Sequence, residues 1–110
     1  VTVSNFTNTG YATTTTGNRF AHSDAPLTTT PDLSKYFEVT VTPAANYTLT
    51  VSTITFRSQR SGTGPRTYVV RSSADGYAAN LPASINPANA ELEVIGTNEF
   101  HFVNDTKHRV

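Results

Sequence analysis

The chain has 110 residues, eight basic and eight acidic side chains, 36% hydrophobic content and no Cys, Met or Trp. That length suits one domain with a modest core, and zero net charge, with only one short Arg-rich stretch, argues against a nucleic-acid binder, which needs clustered Lys and Arg. The absence of Cys excludes disulfides and thiolate metal sites, and no apolar run approaches the roughly 20 residues of a membrane-spanning helix.

Twenty residues are Thr, and together with Val, Ile, Tyr and Phe they give a strand-forming composition. The expectation is an all-β domain. Residues 1–6 read as a first strand, with Val1 and Val3 on one face. Residues 7–18 carry two Gly and a run of four Thr, with Tyr11 the only sizeable apolar group, and read as an exposed loop or tether. A short strand is expected around Phe20, followed by a connection over residues 24–33 in which Pro26 and Pro31 exclude a central strand.

Residues 36–42 alternate Phe37, Val39 and Val41 against Glu38, Thr40 and Thr42, the period of a strand with one buried face. Residues 43–46 form the turn. Over residues 47–60 Leu49 and Val51 share one parity and Ile54 and Phe56 the other, so a strand there needs a bulge near Ser52 and Thr53. Residues 61–65 (SGTGP) are a loop, residues 67–73 a strand, and Asp75-Gly76 a tight turn. Residues 91–95 and 99–104 form a hairpin around Gly96-Thr97-Asn98, with Phe100 and Phe102 on one face. Turn signals every 8–14 residues are the mark of an antiparallel β-sandwich, jelly-roll-like in plan. The expected organisation is a strand and Thr-rich tether over residues 1–18 and a sandwich over 19–110, a single domain overall.

Several segments carry a resemblance. Tyr36-Phe37 opens a strand ending in Thr42-Pro43, Tyr47-Thr48-Leu49 opens the next, and Arg60-Ser61-Gly62-Thr63-Gly64-Pro65 precedes Arg71-Ser72-Ser73 and Asp75-Gly76-Tyr77. In these the chain resembles β-sandwich modules of secreted, surface-anchored bacterial proteins, which often precede a C-terminal sorting or anchoring signal. The resemblance implies a jelly-roll-like sandwich and an extracellular address, and it implies no catalytic residues. Such modules continue beyond the strand at Phe100 and Phe102 into a closing strand, whereas residues 105–110 read as a charged tail. A missing closing strand leaves an open edge that a neighbouring molecule's strand would cover. With no Met before Val1-Thr2-Val3, the chain reads as a processed mature protein or an excised piece.

Candidate chemistry is sparse. Arg57, Arg60, Arg66 and Arg71 bracket the SGTGP loop, and guanidinium forks suit the carboxylates or sulfates of an acidic glycan. Alternatively they cover solvent faces of two strands. Tyr68 and Tyr77, with Asp75 and Asn80 close in sequence, would give a polar and aromatic ligand patch; half-buried packing is the commoner use of a sheet Tyr. The Gly62-Thr63-Gly64 stretch lacks the Gly-Lys-Ser/Thr ending of a phosphate loop.

His22, His101 and His108 lack ligand spacing, and His101, alternating with two Phe, is expected to face solvent. Asp24, Asp32, Asp75 and Asp105 are scattered, so Ca²⁺ would bind only where loops converge, and no other cofactor is expected. No Gly-x-Ser-x-Gly elbow or carboxylate pair is present, so the chain is not expected to be an enzyme. Asn5, Asn46 and Asn104 begin Asn-x-Thr sequons, which arise readily in a Thr-rich chain.

Two functions fit. The first is a non-catalytic structural or adhesive module of the extracellular surface, a homo-oligomer or part of a multidomain parent. It would self-assemble into a surface layer or filament by strand exchange, with Val1, Val3 and Phe6 as the donated strand. The second is a carbohydrate-binding module for an acidic or neutral polysaccharide, using the Arg cluster and the Tyr77 patch.

Overall fold

Strand-forming residues condense here into short antiparallel ladders and, apart from one 3₁₀ turn at Ser73–Asp75, into no helix among the described residues. The protein is all-β. The computed structural model describes residues 1–16, 19–23, 30–104 and 108–109, and only the backbone of 13–16, 19–23 and 108–109. Most of the connection expected over residues 24–33, Asp24 and Asp105 among the acidic residues, and the side chains of His22 and His108 lie outside what is described. The chain forms two compact units, Val1–Asp24 with Asp32–Phe56, and Ala25–Pro31 with Arg57–Val110.

The first unit is built from two-stranded ribbons. Strands β1 (Thr2–Val3) and β2 (Thr7–Thr9) run antiparallel to β6 (Val41–Thr42) and β5 (Tyr36–Glu38) respectively, with Val3 opposite Val41 and Asn8 opposite Phe37. Between the two ladders Ser4, Asn5 and Phe6 stand against only Val39 and Thr40, so one long ribbon carries a bulge. Ser4 fixes that bulge from both sides: its amide donates to the Thr40 carbonyl (2.8 Å) and its hydroxyl accepts from the Thr40 amide (2.8 Å). Strands β3 (Ala12–Thr16) and β4 (Arg19–Ser23) form the other ribbon. The stretch read as a tether thus holds two strands, because the β-branched Thr run can ladder its backbone without an apolar face to bury.

The turn at residues 43–46 is present, closed by the Tyr47 amide on the Ala44 carbonyl (3.1 Å) with Asn46 at φ 66°. That geometry is type II, and Asn tolerates it. Beyond the turn the expected long strand is absent except for β7 (Gln59–Arg60), and the bulge expected at Ser52 and Thr53 is replaced by the one at residues 4–6. The parity change at Leu49, Val51, Ile54 and Phe56 needs no bulge, because both sets are exposed. Nor does the strand at residues 36–42 have a buried face: Phe37 is 49% exposed and Val41 40%.

The second unit holds the core. Strands β8 (Thr67–Tyr68), β9 (Leu92–Ile95) and β10 (Glu99–Phe102) form a sheet in the order β8-β10-β9. The hairpin turn takes positive φ at Gly96 (49°) and Asn98 (57°), as sequence predicts for Gly-Thr-Asn. Leu92, Phe100 and Phe102 are buried, and Tyr68, Val70, Ala83 and Ile85 pack against them. The period-two pattern places Phe100 and Phe102 on that one face. Residues 108–109, read as part of a charged tail, form β11 (His108–Arg109) against β7.

Candidate functional site

Three of the four arginines, Arg60, Arg66 and Arg71, and their neighbours separate into two networks within the second unit. The first surrounds Arg60, the most buried charged side chain described, at 5% exposure. Its Nη1 donates to the Asn104 carbonyl (2.8 Å), its Nε to Gly64 (3.2 Å), and its Nη2 to Gly62 (3.1 Å) and Gly64 (2.9 Å), while the guanidinium carbon lies 5.8 Å from the Phe102 ring centroid. The SGTGP loop folds onto itself through Gly64 N–H to the Ser61 carbonyl (3.0 Å), which turns its carbonyls toward this one group. Arg66 donates in the same way to the carbonyls of Phe102 (3.2 Å) and Val103 (2.7 Å). Both side chains clamp the end of β10 and the residues after it to the segment that runs from β7 to β8.

Tyr68 belongs to the same network. Its ring stacks on Phe100 with centroids 5.1 Å apart, and its hydroxyl meets the Ser58 hydroxyl at 2.8 Å. Burial pushes its ionisation above the ordinary phenol range, with the Ser58 bond acting in the opposite direction. His101, expected to face solvent, is half-buried with Nδ1 3.0 Å from the Thr67 hydroxyl. The cross-strand pairing of these two residues places both groups on one face of the sheet.

The second network joins Arg71, Asp75, Tyr77 and Asn80. Arg71 donates from Nε to Asn80 Oδ1 (2.9 Å) and from Nη1 to the Tyr77 carbonyl (2.9 Å), and Asn80 Nδ2 donates to the Thr97 carbonyl (2.8 Å). The Asp75 carboxylate accepts the amides of Ala78 (3.2 Å) and Ala79 (3.1 Å). Ser72 caps the 3₁₀ turn and Gly76 closes it at φ 69°. Tyr77 follows at φ 61°, its ring 48% exposed.

The polar groups of Arg60, Arg66, Tyr68, Arg71, Asp75 and Asn80, expected from the sequence to face a ligand, bond largely to the chain itself. Arg57, Asp75 and Tyr77 are the exposed members of the set. Among the described residues no group of three or more His, Asp or Glu is arranged to hold a metal, and no helix is long and apolar enough to cross a membrane.

The first unit offers a different kind of surface, one that no residue-type motif signals. None of its described residues is buried, and thirteen of its large apolar side chains are at least 40% exposed, from Val41 at 40% to Val1 at 75%. Val1, Val3 and Phe6 are among them, on a ribbon whose β1 pairs within the chain with β6. β1 and β6 make a two-stranded sheet with no third strand on it among the described residues. Among the described side chains of this unit Tyr11 is the best sheltered aromatic: its ring lies 5.3 Å from Phe37 and beneath the Lys35 ammonium at 5.8 Å. Burial, and then the Asp32 carboxylate, raise its ionisation. Asp32 itself is held below the usual carboxylate range by the Ser34 hydroxyl and amide, bonded to Oδ1 at 2.6 and 3.0 Å.

No family model, no curated protein and no solved structure matches this chain.

Proposed function

We propose that the chain is a non-catalytic structural module of the extracellular surface that works by assembling with further chains, its sheets packing face to face as a sandwich in the assembled state. The observation that carries this reading is the first unit's apolar exposure. Thirteen half-exposed large side chains present roughly 1,000 Å² of apolar area. Each partner in a standard interface contributes about 800 Å². Two-stranded ribbons are also marginal in isolation and gain independent stability only when further strands or layers cover them. The resemblance to surface-anchored sandwich modules supports the extracellular address. Sedimentation velocity over a dilution series tests the reading: association that grows with concentration is expected, and a monomer throughout overturns it.

Polysaccharide recognition keeps one observation in its favour. The Tyr77 ring is exposed at a turn that Arg71, Asp75 and Gly76 hold in place, as a stacking residue requires. Binding on a glycan array that Tyr77→Ala abolishes would support it. A blank array, with sulfated and uronic glycans included, overturns it.

A further inference from the structure

Residues 48–55, Thr-Leu-Thr-Val-Ser-Thr-Ile-Thr, are all exposed, and among the described residues none of them makes a hydrogen bond within the chain. Six of the eight are β-branched, so the segment has high strand propensity and eight consecutive sets of backbone groups open to a partner. Natural sheet edges are guarded by charge, Pro or bulges. Between Pro43 and Arg57 the sequence contains neither a charged residue nor another Pro.

We infer that residues 48–55 are the strand through which two copies of this chain join, pairing antiparallel with the same residues of the second copy about a twofold axis. This rests on the assembly reading above and names its interface. Two features favour a second copy of the chain. An uncharged segment meets itself with no like charges opposed, which a charged edge could not do. Antiparallel pairing also sends the two Arg57 groups to opposite ends of the ribbon, roughly 30 Å apart at the rise of a strand, whereas parallel pairing in register would set them side by side. A twofold pairing puts residues of equal parity on one face, so Leu49 and Val51 of both copies share one side and Ile54 of both the other. The parity change that would require a bulge in a single buried strand thus gives the ribbon an apolar strip on each face.

The absence of Cys makes the test direct, because a single introduced thiol reports contact between copies. Ser52→Cys and Thr53→Cys lie close to the middle of the segment, and Ser84→Cys is an exposed control in the other unit. Within a paired dimer the two central thiols meet at an effective concentration of order millimolar, so in a micromolar solution they should oxidise to the intermolecular disulfide about 100-fold faster than the control. Hydrogen exchange on the unsubstituted chain provides a second readout, with the amides of residues 48–55 gaining protection as concentration rises.

Equal oxidation rates at all three positions, in a chain that sedimentation shows to be oligomeric, overturn this interface and leave the assembly reading standing. A monomer at every concentration overturns both. Protection of residues 48–55 that does not change with concentration means the segment pairs within its own chain, and that also overturns the inference.

Discussion

A guanidinium leaves water at tolerable cost only when its five N–H donors find acceptors. Arg60 finds them in the main-chain carbonyls of Gly62, Gly64 and Asn104. A Lys ammonium has no planar fork and cannot span the same carbonyls. Arg60→Lys should therefore lower stability by about 2 kcal/mol in denaturant unfolding, and Arg60→Ala by more. Tyr68 makes a prediction in pH. Its ionisation is raised by burial, so the folded state holds the phenol proton more tightly than the unfolded chain does. The stability this gives is complete below the unfolded value of about 10 and is lost as pH climbs through the folded value. Unfolding midpoints measured across the alkaline range should fall above that point, and Tyr68→Phe should flatten part of the fall. Tyr11, raised in the same direction, accounts for a further part. The sequence singled out Arg60, Arg66 and Tyr68, yet their roles were hidden in it. Arg60 also reaches the Asn104 carbonyl 44 positions away and Arg66 the Phe102 carbonyl 36 positions away, and a carbonyl leaves no trace in residue type.

Elements were legible where a local pattern and a turn signal agreed. The β9–β10 hairpin has both, and its apolar parity is also the buried face. The Thr-rich strands β2 and β3 have no apolar period, so hydrophobicity could not reveal them; backbone pairing alone makes them strands. Residues 47–58 fail the other way, since a strand pattern specifies a face but cannot supply the partner that completes a ladder. The join between β2 and β3 depends on one glycine. Gly10 sits at φ 84° in a turn closed by Asn8, whose side chain bonds the Tyr11 carbonyl (2.8 Å) and amide (3.3 Å). A Cβ at this position would stand 2.9 Å from the Ser34 carbonyl oxygen. Gly10→Ala thus combines a disfavoured backbone region with a clash against main chain, and should cost about 1–3 kcal/mol. Faster amide exchange in β2 and β5 than in the parent chain would register that loss, with β9 and β10 unchanged.

At the scale of the whole chain the two units differ in what holds them. The second has a core of Leu92, Phe100 and Phe102 that packs without outside help, and the first has ladders but no buried side chain among its described residues. Hydrophobic burial is the main term opposing chain entropy, so the first unit should open at much lower free energy in dilute solution. If other chains cover it, its stability becomes a function of concentration, because binding to the folded form alone adds a mass-action term. A tenfold rise in protein concentration, once association is under way, adds at most about 1.4 kcal/mol to the first unit and nothing to the second. Hydrogen exchange resolves the two. Amides of β1, β2, β5 and β6 should slow by up to about tenfold for each tenfold concentration, while those of β9 and β10 hold one rate throughout. Equal, concentration-independent protection in both units would mean that the ribbons hold themselves together without further chains, and the exposed apolar side chains would then have no assembly to explain.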